Sequence, residues 1–431
     1  MATTSQHLLL SPAELAYLHS TLSLAPPLRP DGRTATQFRP LTAETGILPG
    51  TNGSARICFV DGTEAVVGVK AEVEKTAGIS IPSTEDNVSR SRMRRKPHRK
   101  GKGAQSTDSG DDDGEAEDKE DAAPSADERR GENDWLELTV EIPGYRDDDS
   151  GTVFLATMLS EALLADGELT KKLWINCRFH WKLYLDIILI SPPLSYPLPL
   201  LSLTTHLALL ATRLPRLKSE GDEDPMFDDD WAASQFIYPR SSSLSLSLSP
   251  SPPSTISSSS SRPPITLLVM AVGDNVIFDP SKEELAVADC ALAVSVGEGT
   301  TTTIDDNDAV KKTAMDMDVD VDVDADAKAG GGGGARTLRL LSVRTIDPPS
   351  RLTGPGVPNA VNAAAWGQGG NGNAAKEMGL RAAETGDVEG VWKAPRGGSK
   401  IGIISTMVEK IVAKGGVADE ALEGLDGVEL A

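Results

Sequence analysis

Arg29-Pro30-Asp31-Gly32-Arg33 opens the stretch that decides the fold, which runs to Val73 through Gly53-Ser54-Ala55-Arg56 and Gly68-Val69-Lys70-Ala71-Glu72. Asp61-Gly62, near its centre, is a two-residue turn signal because this pair tolerates positive φ. Beyond the turn, apolar residues occupy every second position up to Val73, the period of a half-buried strand. The stretch therefore predicts a β-hairpin with one core face and one solvent face.

These motifs resemble the N-terminal strands of the RNase PH family, the phosphorolytic 3′-to-5′ exoribonucleases and their ring-forming relatives. The first two are similar to the family's opening signature. The third is similar to its non-catalytic ring branch, found in the archaeal and eukaryotic RNA exosome. Later stretches that look like the same branch are Glu141–Asp149, Arg178–Tyr184, Pro193–Pro199 and Asp279–Asp289. The resemblance covers most of the chain outside its low-complexity inserts and implies an RNase PH-like fold with a duplicated βαβ arrangement.

Composition limits what the surface can bind. The chain has 431 residues, of which 39% are hydrophobic, and a formal net charge of −22. A uniformly acidic surface would repel RNA, but much of this acid lies in two low-complexity tracts, so the total says little about any folded face. Three cysteines lie far apart without a Cys-x-x-Cys motif, which favours a reducing compartment and small buried side chains over metal ligands.

No targeting or membrane segment is expected. Met1 to Leu10 lacks the basic region of a signal peptide. The most apolar stretch, Leu198 to Leu214, carries polar residues and falls short of the roughly 20 apolar residues that span a bilayer. We expect a buried helix there and no contact with a membrane.

Regular apolar patterns are interrupted at four places. We expect disordered low-complexity inserts at about 78–133, 239–262, 298–336 and 367–398, because such segments cannot offset their ordering entropy. What remains is about 280 residues, a plausible single domain. We therefore expect an N-terminal helix within residues 1–28 and one RNase PH-like domain over residues 29–430. Strands that alternate with helices place it in the α/β (α+β) class.

The remaining elements follow from local patterns. A capping box at Ser11–Glu14 predicts a short helix with Leu15, Leu18 and Leu22 on one face. The alternation of Trp135–Ile142 predicts a third strand beside Glu64–Val73. Further elements are expected as follows: a helix around 154–163, strands over Leu173–Ile190 with a buried end at Ile187–Ile190, a helix from Pro199 to about Thr212, strands at Ile265–Val272, Asn275–Phe278, Cys290–Val296 and Leu338–Arg344, and an amphipathic helix at Lys400–Lys414.

The first insert is strongly charged. Arg90–Lys102 holds eight basic residues and Asp108–Asp121 holds nine acidic ones. The basic run is typical of a nuclear-localisation or RNA-contacting tract, and equally of a solvated, self-neutralising insert in a hairpin loop. The motif at Gly367–Gly372 matches G-x-G-x-x-G, but it lacks the strand and helix of a dinucleotide loop.

The segment that corresponds to the phosphate-binding turn of the active enzymes has a different sequence in this chain. Active members hold phosphate with a short Gly-Thr-Arg or Gly-Ser-Arg turn at a helix N-terminus. The corresponding segment, Ser191–Tyr196, has neither glycine nor arginine, and its two prolines remove two amide donors. Lys182 and Arg213 are the nearest bases along the chain, and we expect neither to replace the missing arginine.

The catalytic carboxylates are also degenerate. Active members carry two aspartates six residues apart, and the matching positions are Glu283 and Asp289. Together with Glu284 they could hold Mg²⁺ weakly. The alternative, favoured because no phosphate clamp is present, makes Glu283 and Glu284 a surface turn and Asp289 a hydrogen-bonding residue before a strand. We expect no catalytic residue, no metal site and no cofactor.

Three cations are candidates for RNA contacts. They are Arg146, in a turn before a helix, and Arg178 and Lys182, which share a strand face with His180 between them. Such contacts to phosphate would be independent of sequence and sensitive to salt. Each cation might instead pair with a local carboxylate, such as Asp147 for Arg146.

The resemblance implies a non-catalytic scaffold and RNA-channel subunit of the exosome ring, active in 3′-to-5′ RNA processing and decay and in ribosomal RNA 3′-end maturation. It implies other RNase PH-like ring subunits, S1/KH-type cap proteins, a hydrolytic exoribonuclease and RNA as partners, in the nucleus, nucleolus and cytoplasm. Two alternatives stay open. One is an active phosphorolytic exoribonuclease, and the other is a stand-alone RNA-binding protein.

Overall fold

Two β-sheets enclose a layer of helices in the computed structural model of the chain. The structure describes residues 10–76, 131–146, 148–219, 223–239, 262–298, 337–346, 391–393 and 399–430. The strands are β1 (Leu41–Thr45), β2 (Gly53–Phe59), β3 (Glu64–Lys75), β4 (Leu136–Glu141), β5 (Phe179–Leu189), β6 (Arg213–Leu214), β7 (Gln235–Phe236), β8 (Ile265–Val272), β9 (Asn275–Phe278), β10 (Cys290–Glu298) and β11 (Leu338–Ile346). The α-helices are α1 (Pro12–Leu22), α2 (Ser150–Leu164), α3 (Glu168–Lys172), α4 (Leu198–Leu210), α5 (Lys282–Leu285), α6 (Ile401–Val412) and α7 (Val417–Asp426).

The predicted hairpin is confirmed and forms part of the first sheet, whose strand order is β1-β2-β3-β5-β4. β2 and β3 pair antiparallel with Ile57 opposite Ala65. Gly62 in the turn has a φ of +84°, the region that glycine adopts without a steric penalty. The Asp61 carboxylate accepts a hydrogen bond from the Thr63 amide at 2.8 Å, which fixes the turn. The apolar face of the hairpin is buried, as its alternation predicts.

The neighbour predicted for β4 is wrong. β4 does not lie beside β3, because β5 is inserted between them, antiparallel to β3 and parallel to β4. α2 lies between β4 and β5 along the chain, so these elements form a βαβ unit. Alternation along a strand reports which side chains face the core, and it carries no information on which strand pairs with it. Residues 77–130 therefore do not join two hydrogen-bonded neighbours, and the hairpin-loop interpretation of this insert is wrong.

β5 is shorter than the predicted strands over Leu173–Ile190. The chain forms α3 just before this stretch, and β5 begins at Phe179. Its apolar end is also buried on one face only. Ile187 has no exposed surface, whereas Ile188 and Ile190 are 39% and 53% exposed. A central strand of this sheet therefore keeps one solvent face even where every residue is apolar.

α4 confirms the predicted buried helix. All thirteen of its residues are buried, and it contacts β2, β3 and β5 of the first sheet and β8 of the second. The hydroxyls of Thr204 and Thr205 donate to carbonyls four residues earlier, each at 2.7 Å, so they tolerate the apolar surroundings. Within the described ranges, none of the helices combines the length and apolar character needed to cross a bilayer.

The second sheet has the order β11-β10-β8-β9 and is antiparallel between its described strands. All eight residues of β8 are buried because both faces of the sheet are covered. α1 covers one face of this sheet with Leu15, Leu18 and Leu22, the three leucines predicted to share one side of the helix. The predicted capping box at Ser11 and Glu14 is present. The fold class is therefore confirmed as α/β, with the parallel βαβ unit in the first sheet.

The C-terminal part adds two helices and a buried tryptophan. α6 matches the predicted amphipathic helix and buries Met407 and Ile411, although Ile401 is exposed. Trp392, inside the predicted insert 367–398, is buried and its ring lies edge-on to that of His19. The remaining predictions for low-complexity tracts, including Arg90–Lys102 and Gly367–Gly372, lie outside the described residues.

Candidate functional site

The opening motif folds against a motif about 250 residues later in the chain. Arg29 donates from Nε to Glu284 Oε1 at 2.7 Å and from Nη2 to Oε2 at 2.8 Å. Neither side chain is exposed to solvent. The remaining N–H groups of Arg29 donate to the backbone carbonyls of Thr34, Gln37, Phe278 and Asp279. A bidentate pair with its other donors satisfied is the form in which buried charges are tolerated.

Glu284 is therefore not part of a surface turn, and that prediction is wrong. It lies on α5, where it also accepts a hydrogen bond from the Ser281 amide at 2.8 Å, completing a capping box. The local pattern explains the cap but does not reveal the partner, because the partner lies in the N-terminal stretch. Glu283, its neighbour, is exposed.

A second buried carboxylate, Asp279, gathers two more arginines. Arg33 Nη1 lies 3.0 Å from Asp279 Oδ2, and Arg39 Nη2 lies 2.7 Å from Oδ1. The backbone amide of Arg39 also donates to Oδ2 at 2.9 Å. Asp279 has a φ of +46°, an uncommon conformation outside glycine, and four hydrogen bonds to its carboxylate hold it there.

A cation from a distant part of the chain reaches the bend at Ser191–Tyr196, which itself contains none. Arg39 Nη1 donates to Ser195 Oγ at 2.6 Å and to Asp61 Oδ2 at 2.8 Å. Arg39 lies 156 positions before Ser195, so proximity along the chain could not identify it. Partial burial favours the neutral form of Asp61, but the Thr63 amide and the Arg39 guanidinium outweigh it and lower its pKa.

The charge of this cluster is already neutralised. Arg29, Arg33 and Arg39 face four carboxylates, namely those of Asp31, Asp61, Asp279 and Glu284. The formal balance is one negative charge. Anion binding needs an excess of cations and free amide donors. The cluster can hold the bend in place, and it offers inorganic phosphate no uncompensated positive charge.

The bend also forms one wall of an apolar cavity of about 320 Å³. Its lining residues are Ile142, Tyr145, Gly151, Thr152, Phe154, Leu155, Pro193, Ser195, Tyr196, Pro197, Lys282, Leu285 and Ile346. Burial raises the pKa of the Tyr196 phenol to about 12. The phenol therefore stays neutral at physiological pH and supplies no charge to the cavity.

The degenerate carboxylates take separate roles. Asp289 accepts a hydrogen bond from the Gly273 amide at 2.7 Å, and His19 Nε2 lies 3.7 Å from its other oxygen. Burial opposes the charged form of Asp289, but the contacts with His19 and Gly273 outweigh it and lower its pKa. This geometry matches the hydrogen-bonding alternative stated for Asp289. Among the described residues, no group of three or more histidine, cysteine or acidic side chains is placed to hold a metal ion.

Each RNA-binding candidate has a carboxylate partner. Arg146 is 81% exposed at its side chain and pairs with Asp148 at 2.9 Å, while Asp147, the partner suggested from the sequence, lies outside the described residues. Arg178 pairs with Asp224 at 3.1 Å. Lys182 Nζ lies 3.6 and 3.5 Å from two glutamates, Glu74 and Glu137. The hydrogen bond to Tyr184 and these glutamates raise the pKa of Lys182.

The candidates do not form one site. Arg178 immediately precedes β5, whereas Arg146 follows β4 at the end where β5 finishes, because the two strands run parallel. Eleven strand residues separate the two ends, a distance on the order of 30 Å. His180 between Arg178 and Lys182 is buried, stacked on Trp135 with ring centroids 4.3 Å apart. The predicted shared face is thus interrupted by an aromatic stack.

The structure adds three residues to which the sequence assigned no role: Arg33, Arg39 and Asp279. A signal was present, since residues 29–39 contain three arginines and a single acid, Asp31. Such a local excess of cations requires carboxylates from elsewhere if it is to be buried.

Comparison with known proteins supports the resemblance. No family model matches the chain. It is 27% identical over 292 residues to "Exosome complex component RRP42" of Saccharomyces cerevisiae, covering 66% of this chain and 81% of that protein. It is 28% identical over 303 residues to "Exosome complex component rrp42" of Schizosaccharomyces pombe, covering 67% of this chain and 78% of that protein.

Solved structures align with it more loosely. An archaeal exosome core aligns at 17% identity with a TM-score of 0.37, covering 66% of this chain and 80% of that one. Rice (Oryza sativa) Rrp46 aligns at 13% identity with a TM-score of 0.30, covering 62% and 80%. Both TM-scores are low, so the comparison rests on the sequences of the two yeast proteins. The chain is similar to the exosome components named Rrp42, and the resemblance that its opening motif predicts is confirmed.

Proposed function

We propose that the chain is a non-catalytic, RNase PH-like subunit of an RNA exosome ring, acting as a scaffold and as part of an RNA conduit. Its relatives are named as components of the exosome complex. The observation that carries the proposal is the state of the bend at Ser191–Tyr196. The cation that hydrogen-bonds to it, Arg39, is bound to Asp279 and Asp61, so this guanidinium is not free to hold the phosphate that phosphorolysis requires.

The proposed partners follow from ring membership. They are other RNase PH-like subunits, S1/KH-type cap proteins, a hydrolytic exoribonuclease and RNA. The proposed work is 3′-to-5′ RNA processing and decay, including ribosomal RNA 3′-end maturation, in the nucleus, nucleolus and cytoplasm.

RNA contacts are proposed chiefly for Arg146 and Arg178. Both guanidinium groups are at least 40% exposed, and each pairs with a carboxylate that is at least 70% exposed. Ion pairs of this kind are weak, so a phosphate can displace the carboxylate at little cost. Lys182 is the weaker candidate because its ammonium lies between two glutamates and only 21% of its side chain is exposed.

An activity assay tests the absence of catalysis. The purified chain, alone and mixed with candidate ring subunits, is incubated with single-stranded RNA and inorganic phosphate. We expect no nucleoside diphosphate above the level of a mock preparation. Release of nucleoside diphosphates by the chain alone would identify it as a phosphorolytic exoribonuclease and overturn the proposal.

Purification of a tagged chain from its native cells tests ring membership. Mass spectrometry is expected to find the other ring and cap proteins in near-equal amounts. A tagged chain that carries Arg146→Glu serves as a control. Because this side chain is exposed, the variant should still co-purify with the ring and cap proteins. A monomer on size exclusion that binds RNA without protein partners would instead indicate a stand-alone RNA-binding protein.

A further inference from the structure

β4 is the last strand of the first sheet, and no described strand pairs with its outer edge. Alternate residues of a strand turn their backbone N–H and C=O groups to opposite sides, so part of those in Leu136–Glu141 point away from β5. Such an edge is a template for another strand, and proteins commonly cover it. The other edge of this sheet is approached by the C-terminal segment, where the Thr45 hydroxyl of β1 donates to the Glu429 carbonyl at 2.8 Å.

A groove of about 650 Å³, called the edge groove below, runs along β4 beside α2. Its wall on α2 is uncharged, and Val153 in that wall is 50% exposed. An exposed sheet edge is where extended peptides add a strand, with backbone hydrogen bonds giving affinity and pockets for alternate side chains giving specificity. The lining residues are all six residues of β4, Asp186 of β5, and Thr152, Val153, Ala156, Thr157 and Ser160 of α2.

The solvent face of β4 at the edge groove is acidic. Glu137 and Glu141 are exposed, as is Asp186, which accepts a hydrogen bond from the Thr139 hydroxyl at 2.8 Å. Against these three carboxylates stands one neighbouring cation, Lys182, 3.5 Å from Glu137. This balance disfavours a nucleic acid, whose affinity comes largely from cations on the protein.

The same charges disfavour a second copy of the chain. If two β4 strands paired antiparallel about Thr139, Glu137 of each copy would lie opposite Glu141 of the other. Like charges directly opposite each other destabilise a strand pair, whereas opposite charges stabilise it. The edge therefore fits a strand that carries basic side chains on its solvent face.

We propose that the edge of β4 binds an extended segment of a partner protein in which basic residues alternate with small apolar ones. The segment adds a sixth strand to the five-stranded sheet. Because successive side chains of a strand point to opposite faces, the apolar set meets Leu138 and Val153 while the basic set meets Glu137 and Glu141. The site goes beyond the ring scaffold and does not depend on it, since it needs only the strand edge and its glutamates.

Peptide binding to the full-length chain tests the proposal. The probe is a fluorescein-labelled peptide in which four lysines alternate with three valines, a sequence that reads the same in both directions. A scrambled peptide of the same composition reports non-specific attraction to a chain with a net charge of −22. We expect the alternating peptide to bind more tightly in fluorescence anisotropy. In methyl NMR it should shift the signals of Leu138 and Val153, which line the groove.

Backbone methylation separates strand addition from charge attraction. Only alternate residues of an added strand direct their N–H groups to β4. Two further peptides carry N-methyl groups, one at its lysines and the other at its valines. We expect one of them to lose affinity by about two- to tenfold for each hydrogen bond removed and the other to keep it.

Charge reversal at each edge of the sheet provides a matched pair of variants. Glu141→Lys on β4 is expected to weaken the alternating peptide about two- to fivefold. Glu44→Lys, the same change at an exposed position of β1, is expected to have no effect.

The proposal is overturned if the scrambled peptide binds equally well, if the two methylated peptides behave alike, or if Glu141→Lys leaves the affinity unchanged. An oligouridylate that shifts the same methyl signals would identify an RNA site and overturn it as well. Binding that appears only when Arg90–Lys102 is replaced by a Gly-Ser linker would show that the chain's own basic run occupies the edge, which contradicts a partner segment.

Discussion

Replacing Arg29 with methionine tests how the opening motif is held. The change keeps most of the apolar stem and removes the guanidinium, leaving the Glu284 carboxylate buried without its cation. It also removes the donors to four backbone carbonyls. We expect a large loss of stability because an uncompensated buried charge is among the costliest defects in a folded protein.

The magnitude follows from the burial of the pair. Removing one partner of a buried ion pair costs about 3–5 kcal/mol. For a folded body of this size each kcal/mol shifts Tm by roughly 2–3 °C. Arg29→Met is therefore expected to lower Tm by about 6–15 °C in differential scanning calorimetry at neutral pH.

Arg56→Met is the matched control. Arg56 Nε lies 2.6 Å from Glu64 Oε1, as short a contact as that of Arg29, but the Arg56 side chain is 41% exposed. Exposed pairs contribute about 0–1 kcal/mol, so we expect a fall of no more than ~3 °C for this variant.

Arg29→Met combined with Glu284→Met removes both charges and is expected to recover part of the loss, because no carboxylate is then left unpaired. The reasoning is refuted if Arg29→Met lowers Tm no more than Arg56→Met does. If the double variant is no more stable than Arg29→Met, the loss of stability comes instead from the four backbone carbonyls that no longer receive hydrogen bonds from Arg29.

Three further perturbations have defined outcomes. His180 should titrate below its ordinary pKa of about 6.5 in NMR because burial disfavours the imidazolium. The unfolded chain then binds this proton at higher pH, so the unfolding free energy should fall as pH drops below about 6.5, and His180→Gln should flatten that slope in urea titrations. Gly53→Ala would place a Cβ 2.6 Å from a neighbouring backbone atom and should cost about 1–3 kcal/mol, whereas Gly402→Ala, with open space around it, should be neutral or stabilising by up to ~1 kcal/mol. Arg178→Ala should reduce the slope of log affinity for RNA against log salt by about 1, while Lys182→Ala, already paired with two glutamates, should leave it unchanged; equal effects would contradict the assignment.

The local patterns of the sequence predicted most elements of the fold correctly. The hairpin around Asp61-Gly62, the capping box at Ser11 and the buried helix α4 depend on residues close together in the chain. The order of the strands did not follow from the same patterns. Period-two alternation placed β4 on the correct face and beside the wrong strand, since pairing is decided by the βαβ crossover through α2.

The candidate site was predicted less completely for a related reason. The sequence singled out Ser191–Tyr196, but the cation that reaches it, Arg39, comes from a distant part of the chain. Glu284 was assigned to a surface turn because the sequence shows no phosphate clamp beside it, and its own neighbours in the chain do not reveal its buried partner. Burial of a charge depends on a partner far along the chain, here Arg29, and one sequence does not specify such pairs.

The insertion of β5 between β3 and β4 has a consequence for protein engineering. Residues 77–130 connect the end of β3 to β4, a strand with which β3 does not pair. A protease cut in that connection would leave eleven paired positions of β3 and β5 on opposite pieces. The chain is thus a natural candidate for split-protein complementation, in which two separately expressed halves recover the fold only by finding each other through that ladder.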